Sequence, residues 1–122
     1  MSETEYQGER PGEIQFADFA KVEVRVGRVL SAEPLDGARK PAYKLHIDFG
    51  SAVGIKQSSA QLTALYRAEE LVGRLVLAVL NFPSRRIAGF KSEVLTLGVP
   101  DANGDVVLVV PTQEVPPGGR MY

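Results

Sequence analysis

Across 122 residues there is no cysteine, no tryptophan and only one histidine. Without cysteine there can be no disulfide framework, thiolate zinc site or cysteine nucleophile. His46, alone on the polar side of its strand, has no second imidazole or thiol to complete a metal site. Ser58-Ser59 lacks a nucleophile elbow and has no base except that histidine. No phosphate-loop or dinucleotide glycine fingerprint occurs. Neither an enzyme nor a cofactor nor a metal is therefore expected. Long apolar runs are missing too. The longest, residues 75–80, falls far short of the ~20 residues a membrane helix needs, so no membrane insertion is expected. The first residues lack the basic and apolar regions of a secretory signal, which makes the cytoplasm the expected location.

A large charge excess is also missing, since the formal net charge is −1. That average hides a split. Glu3, Glu5, Glu9 and Glu13 against Arg10 give residues 1–15 a net of −3, and the remaining chain a net of +2. Residues 1–15, rich in Glu, Gly and Gln and poor in apolar side chains, read as a flexible acidic leader. Residues 16–122 read as one domain, a size that suits a single core.

Within that domain Phe16-Ala17-Asp18-Phe19 suggests a short helical turn docking two aromatics. From Lys21 the period is two, with Val22, Val24 and Val26 on one side. Gly27 interrupts this strand and suggests a bulge or bend. Residues 34–41 read as a loop. Tyr43, Leu45, Ile47 and Phe49 alternate with Lys44, His46 and Asp48 in the clearest strand of the chain. A shorter third strand is expected over residues 53–57. Residues 58–71 form the one expected helical stretch, ended by Gly73 as a cap. A buried strand follows at 75–80, a loop at 82–92 and a strand at 94–99. Asn103-Gly104 marks a hairpin into residues 106–110. Five or six short strands around one short helix fit an all-β, five-stranded OB-fold barrel with flanking terminal segments. An SH3-like barrel or small sandwich is the competing architecture.

The segment Asn81-Phe82-Pro83-Ser84-Arg85-Arg86-Ile87-Ala88-Gly89-Phe90-Lys91-Ser92-Glu93 carries the candidate binding residues. Arg offers planar donors to phosphate or carboxylate. Phe82, Ile87 and Phe90 offer apolar or stacking surface. Asn81 and Ser92 supply short polar groups, and Lys91 a further cation. Lys56, Ser58 and Ser59 form a second, weaker cluster at the exit of the third strand. Phe82 and Phe90 equally suit a cap over the core, and Arg85 or Arg86 a pairing with Glu93 or Asp48.

Several separated motifs resemble the tRNA-binding domain family in order: Asp18-Phe19 with Val24-Arg25-Val26-Gly27-Arg28-Val29, then Asp48-Phe49-Gly50, Leu71-Val72-Gly73, and residues 81–89. Gly54-Ile55-Lys56-Gln57-Ser58-Ser59-Ala60-Gln61 and residues 88–95 are similar to a chaperone-like branch of that family. Ser92-Glu93-Val94-Leu95 stands where tRNA-binding relatives carry Ser-Glu-Gly-Met. The resemblance implies an OB-fold barrel, and a homodimer built with residues 16–19 and 115–122. It also implies a role holding unfolded preproteins or extended peptides for export with the SecA translocation motor, while tRNA is a possible further partner. In that reading Phe82, Ile87 and Phe90 are the apolar surface, edged by Lys56, Arg85, Arg86 and Lys91.

Overall fold

The computed structural model describes residues 10–122. Most of the expected leader, residues 1–9, lies outside the described residues, and residues 10–15 are exposed. Eleven short elements follow: α1 (Phe16–Ala20), β1 (Val24–Pro34), β2 (Tyr43–Asp48), β3 (Ile55–Ala60), α2 (Ala68–Leu71), β4 (Leu75–Val79), β5 (Arg85–Ile87), β6 (Phe90–Ser92), β7 (Leu95–Thr96), β8 (Gly98–Pro100) and β9 (Val106–Leu108). Five of them form an antiparallel sheet in the order β3-β2-β1-β4-β7.

β1 makes the curvature possible because it serves two partners in turn. Val24 to Arg28 pair with β4, and Arg28 to Pro34 pair with β2. The bulge expected at Gly27 lies instead between Val29 and Ser31, where the extra residue, Leu30, is turned outward. Gly27 answers a different demand. A Cβ there would stand 2.5 Å from Ile47 Cγ2 and 2.7 Å from Phe49 Cε1, so the bare backbone is what lets two fully buried side chains pass.

The alternation read in β2 is observed: Tyr43, Leu45 and Ile47 are buried, and Lys44, His46 and Asp48 face the other side. With Phe49, Val29, Leu62, Leu71, Val76, Ala78, Val94 and Leu108 they make one core. β3 closes the barrel, and it does so with polar groups. The Gln57 carbonyl accepts from the Glu93 N–H at 2.8 Å, and Ser92 Oγ accepts from the Ser59 N–H at 3.0 Å. Inside, Ser58 Oγ lies 2.8 Å from Thr96 Oγ1. An open strand edge is a liability, and here loop side chains and one backbone turn satisfy it. The fold is the OB-fold barrel.

The helix, the third strand and the loop at 82–92 differ from expectation. The helix placed over 58–71 is confined to Ala68–Leu71, and Ser58 to Ala60 belong to β3. Serines in a strand carry no apolar alternation, which hid it. Arg67 donates its N–H to Glu70 Oε1 at 2.7 Å, so the helix starts only where its third residue can cap it. The loop at 82–92 contains a hairpin, β5 against β6, turning at Ala88-Gly89. The tail pairs along the flank of β1 that β2 does not reach: Val26 donates to Gly119 at 2.9 Å, Gly118 to Val26 at 2.8 Å and Met121 to Val24 at 2.8 Å. This brings Met121 and Tyr122 beside Phe16 and Phe19.

Candidate functional site

The outer face of β1, β2 and β3 is organised in rows set by strand register. Ser31, His46 and Gln57 form one row, and Glu33, Lys44 and Ser59 the next. The β5–β6 hairpin lies against this face. Phe90 packs edge-on to the His46 ring at 6.3 Å between centroids, and Ser92 bonds to Ser59. Directly paired residues share a face of a hairpin. Arg85 and Ile87, opposite Ser92 and Phe90, therefore share the face that meets the sheet, whereas Arg86 and Lys91 lie on the outward face.

The turn itself is tight. Ala88 adopts φ +50° and Gly89 φ +81°, the two positive angles that let a two-residue turn follow strand twist. Arg86 Nη1 donates to the Gly89 carbonyl at 2.9 Å and steadies that turn. The loop between β1 and β2 meets the hairpin tip: a methyl on Gly37 would stand 3.7 Å from Ala88 Cβ. That loop brings exposed Arg39 and Lys40, two cations the sequence reading missed because spacing alone does not show which loops converge.

Among the described residues none of Arg39, Lys40, Lys56, Arg85, Arg86 and Lys91 forms an ion pair, whereas Lys44 is held 3.4 Å from Glu33. The alternative pairing of the arginines with Glu93 or Asp48 is absent. Glu93 Oε1 accepts from the Gln57 N–H at 3.0 Å, and Asp48 Oδ1 from the Gly50 N–H at 2.9 Å. Apolar surface accompanies the cations: Phe82 is 52% exposed and Ile55 58%, while Ile87 and Phe90 are half-buried.

Not every expected site residue reaches this face. Ser58 is 0% exposed and bonded to Thr96, so its hydroxyl belongs to the core and cannot meet a ligand. Lys56 stands opposite Ile47, on the other side of β3 from Gln57 and Ser59. Asn81 is a bracket: its Oδ1 accepts from the Glu23 N–H at 2.9 Å and its Nδ2 donates to the Lys21 carbonyl at 2.6 Å. Ser59 and Ser92 spend their bonds on each other. Phe82, Arg85, Arg86, Ile87, Phe90 and Lys91 remain as surface a ligand can touch, joined by Arg39, Lys40 and His46.

A second surface lies on the terminal segments. Phe16, Phe19, Ala20, Val22, Arg120, Met121 and Tyr122 line a mostly apolar hollow of about 270 Å³. Phe16, expected to dock, is 79% exposed.

An open cationic and apolar face, with no cluster of metal-ligating side chains among the described residues, suits binding an extended chain. On an OB-fold, the face of strands two and three together with its bordering loops is where such ligands bind. Comparisons agree in kind. The family model described as "Putative tRNA binding domain" matches residues 24–120. The solved structure of the chaperone CsaA from Bacillus anthracis is 51% identical with a TM-score of 0.84, covering 91% of this chain and all of that one. The CsaA chaperone protein of Picrophilus torridus is 43% identical with a TM-score of 0.84, covering 90% of this chain and all of that one. A methionine–tRNA ligase of Methanothrix thermoacetophila is 40% identical over 105 residues, 86% of this chain. The chain spans about 15% of the length of the curated relatives it matches.

Proposed function

Because the chain belongs to the tRNA-binding domain family, we propose that it is a chaperone-like binding module. In this reading it holds unfolded preproteins as extended peptides on its hairpin face and hands them on for export with the SecA motor. The observation that carries the reading is apolar surface on a cationic face: Ile87 and Phe90 lie in the hairpin with Arg85, Arg86 and Lys91, and Ile55, 58% exposed, shares the outer face of β3 with Gln57 and Ser59. An aliphatic side chain such as Ile55 gives a base no ring to stack on, whereas an unfolded polypeptide supplies apolar side chains to cover it. The match to the whole of two chaperone structures, over 91% and 90% of this chain, supports it further.

A second reading, tRNA binding, is favoured by the convergence of Arg39 and Lys40 with Arg85, Arg86 and Lys91. Phosphate contacts release counterions, so that mode fails steeply as salt rises. Fluorescence anisotropy of a labelled, reduced and alkylated polypeptide and of labelled tRNA, at low and physiological salt, separates the two. Polypeptide binding that persists while tRNA binding fades is the expected result. Tight tRNA binding at physiological salt with no polypeptide signal overturns the chaperone reading. We also propose a homodimer through the terminal hollow, since Phe16 and Tyr122 exposed in one copy gain from mutual burial. A monomer mass in sedimentation at micromolar protein contradicts it.

A further inference from the structure

The hairpin bearing Arg85 and Arg86 is fastened to the barrel in large part by one residue, Gln57. Its N–H donates to Glu93 Oε1 at 3.0 Å, and its carbonyl accepts from the Glu93 N–H at 2.8 Å. These main-chain bonds close the barrel edge and do not depend on the side chain. The side chain makes two others: Nε2 donates to the Lys91 carbonyl at 3.1 Å, and Oε1 lies 3.1 Å from His46 Nε2.

Together those two contacts fix a tautomer. A backbone carbonyl only accepts, so the amide NH2 of Gln57 must point at Lys91, which turns the amide oxygen toward His46. That oxygen only accepts, so His46 Nε2 carries the hydrogen. In the neutral ring Nδ1 is then free to accept from the Ser31 hydroxyl, 3.1 Å away. One chain of bonds with a single donor sense thus runs Ser31, His46, Gln57, Lys91, from β1 through β2 and β3 into β6. Phe90 leans on its imidazole.

We propose that Gln57 is a positioning residue for the binding face. Its side-chain amide sets the hairpin over β2 and β3, so that Arg85, Ile87 and Phe90 act together on one extended polypeptide. The inference rests on the chaperone reading of that face and deepens it. The amide does not itself contact the ligand; it acts through Lys91 and His46.

The test uses the full chain, the labelled reduced and alkylated polypeptide as probe, and the variants Gln57→Ala, Gln57→Glu and Arg85→Glu. Each Gln57 variant loses the bond to Lys91, and each is expected to weaken probe binding about fivefold. Amide hydrogen exchange in residues 86–92 should accelerate in both. Imidazole nitrogen spectra discriminate further. His46 should lose its fixed Nε2–H in Gln57→Ala and keep that hydrogen in Gln57→Glu, where a carboxylate oxygen still accepts it. A residue that only stabilised the fold would lower Tm in these variants and leave probe affinity, measured well below Tm, unchanged. Should Gln57→Ala not fold, the isosteric Gln57→Glu decides. If the Gln57 variants match the parent in binding and exchange while Arg85→Glu loses the probe, the positioning role is overturned and the face reading stands. If Arg85→Glu binds the probe as the parent does, the face reading falls and takes the proposal with it.

Discussion

Reversing Arg85 and Arg86 together to glutamate is expected to cut tRNA affinity by about 30-fold, with stability held within about 0.5 kcal/mol. Both side chains are exposed and neither forms an ion pair among the described residues, so nothing in the frame depends on their charge. Arg86 gives up only its bond to the Gly89 carbonyl. Removing two phosphate contacts should also lower the slope of log affinity against log salt by about 2. Polypeptide binding should also fall, by about tenfold, because Arg85 lies on the same hairpin face as Ile87 and Phe90 and its reversal sets a carboxylate beside the chain they cover. Parallel anisotropy titrations check this. An unchanged tRNA affinity and slope would remove the hairpin from any phosphate-binding role.

Gly27→Val should destabilise the barrel by about 3 kcal/mol, near the top of the range for overpacking, and lower Tm by about 10 °C. The new side chain has nowhere to go. Its Cβ alone would lie 2.5 Å from Ile47 Cγ2 and 2.8 Å from Phe49 Cδ1, and both neighbours are 0% exposed in the centre of the core. Interiors are packed too densely to absorb added carbons without moving side chains off their rotamers. Gly27→Ala should lie between parent and valine variant in a denaturant titration. A valine variant as stable as the parent would mean that β1 and β2 approach less closely than described.

The parts of this fold that were legible are those where burial writes a pattern. Tyr43 to Asp48 alternates because one side of β2 is core, and the apolar run from Leu75 is continuous because β4 is buried almost throughout. β3 was misplaced for the converse reason. Its one fully buried side chain is a serine, paired inside with Thr96, and its open edge is satisfied by Ser92 and Glu93 at the end of a hairpin more than 30 residues away. No local pattern encodes either fact. In sequence the hairpin reads as a loop because its three-residue strands mix Arg, Lys and Ser with one apolar residue each, and its turn is Ala88-Gly89, with alanine in a conformation that asparagine would ordinarily mark.

Legibility of the site divides the same way. Arg85, Arg86 and Lys91 stood out as a dense cation group in one segment. Asn81 and Ser58 looked equally available, yet a polar residue spent on the frame and one offered to a ligand read alike in sequence. Only the partners 58 and 38 positions away distinguish them. Arg39, Lys40 and His46 join the face through topology, which brings the β1–β2 loop to Ala88 and places β2 beneath Phe90.

The most direct test of the central claim is an amide chemical-shift map of the isotope-labelled protein titrated with the reduced and alkylated polypeptide. Perturbed amides should cluster at residues 85–92 and 36–40 and at Lys44, His46, Ile55, Gln57 and Ser59. Perturbations confined to residues 16–22 and 120–122, with the hairpin silent, would contradict the account.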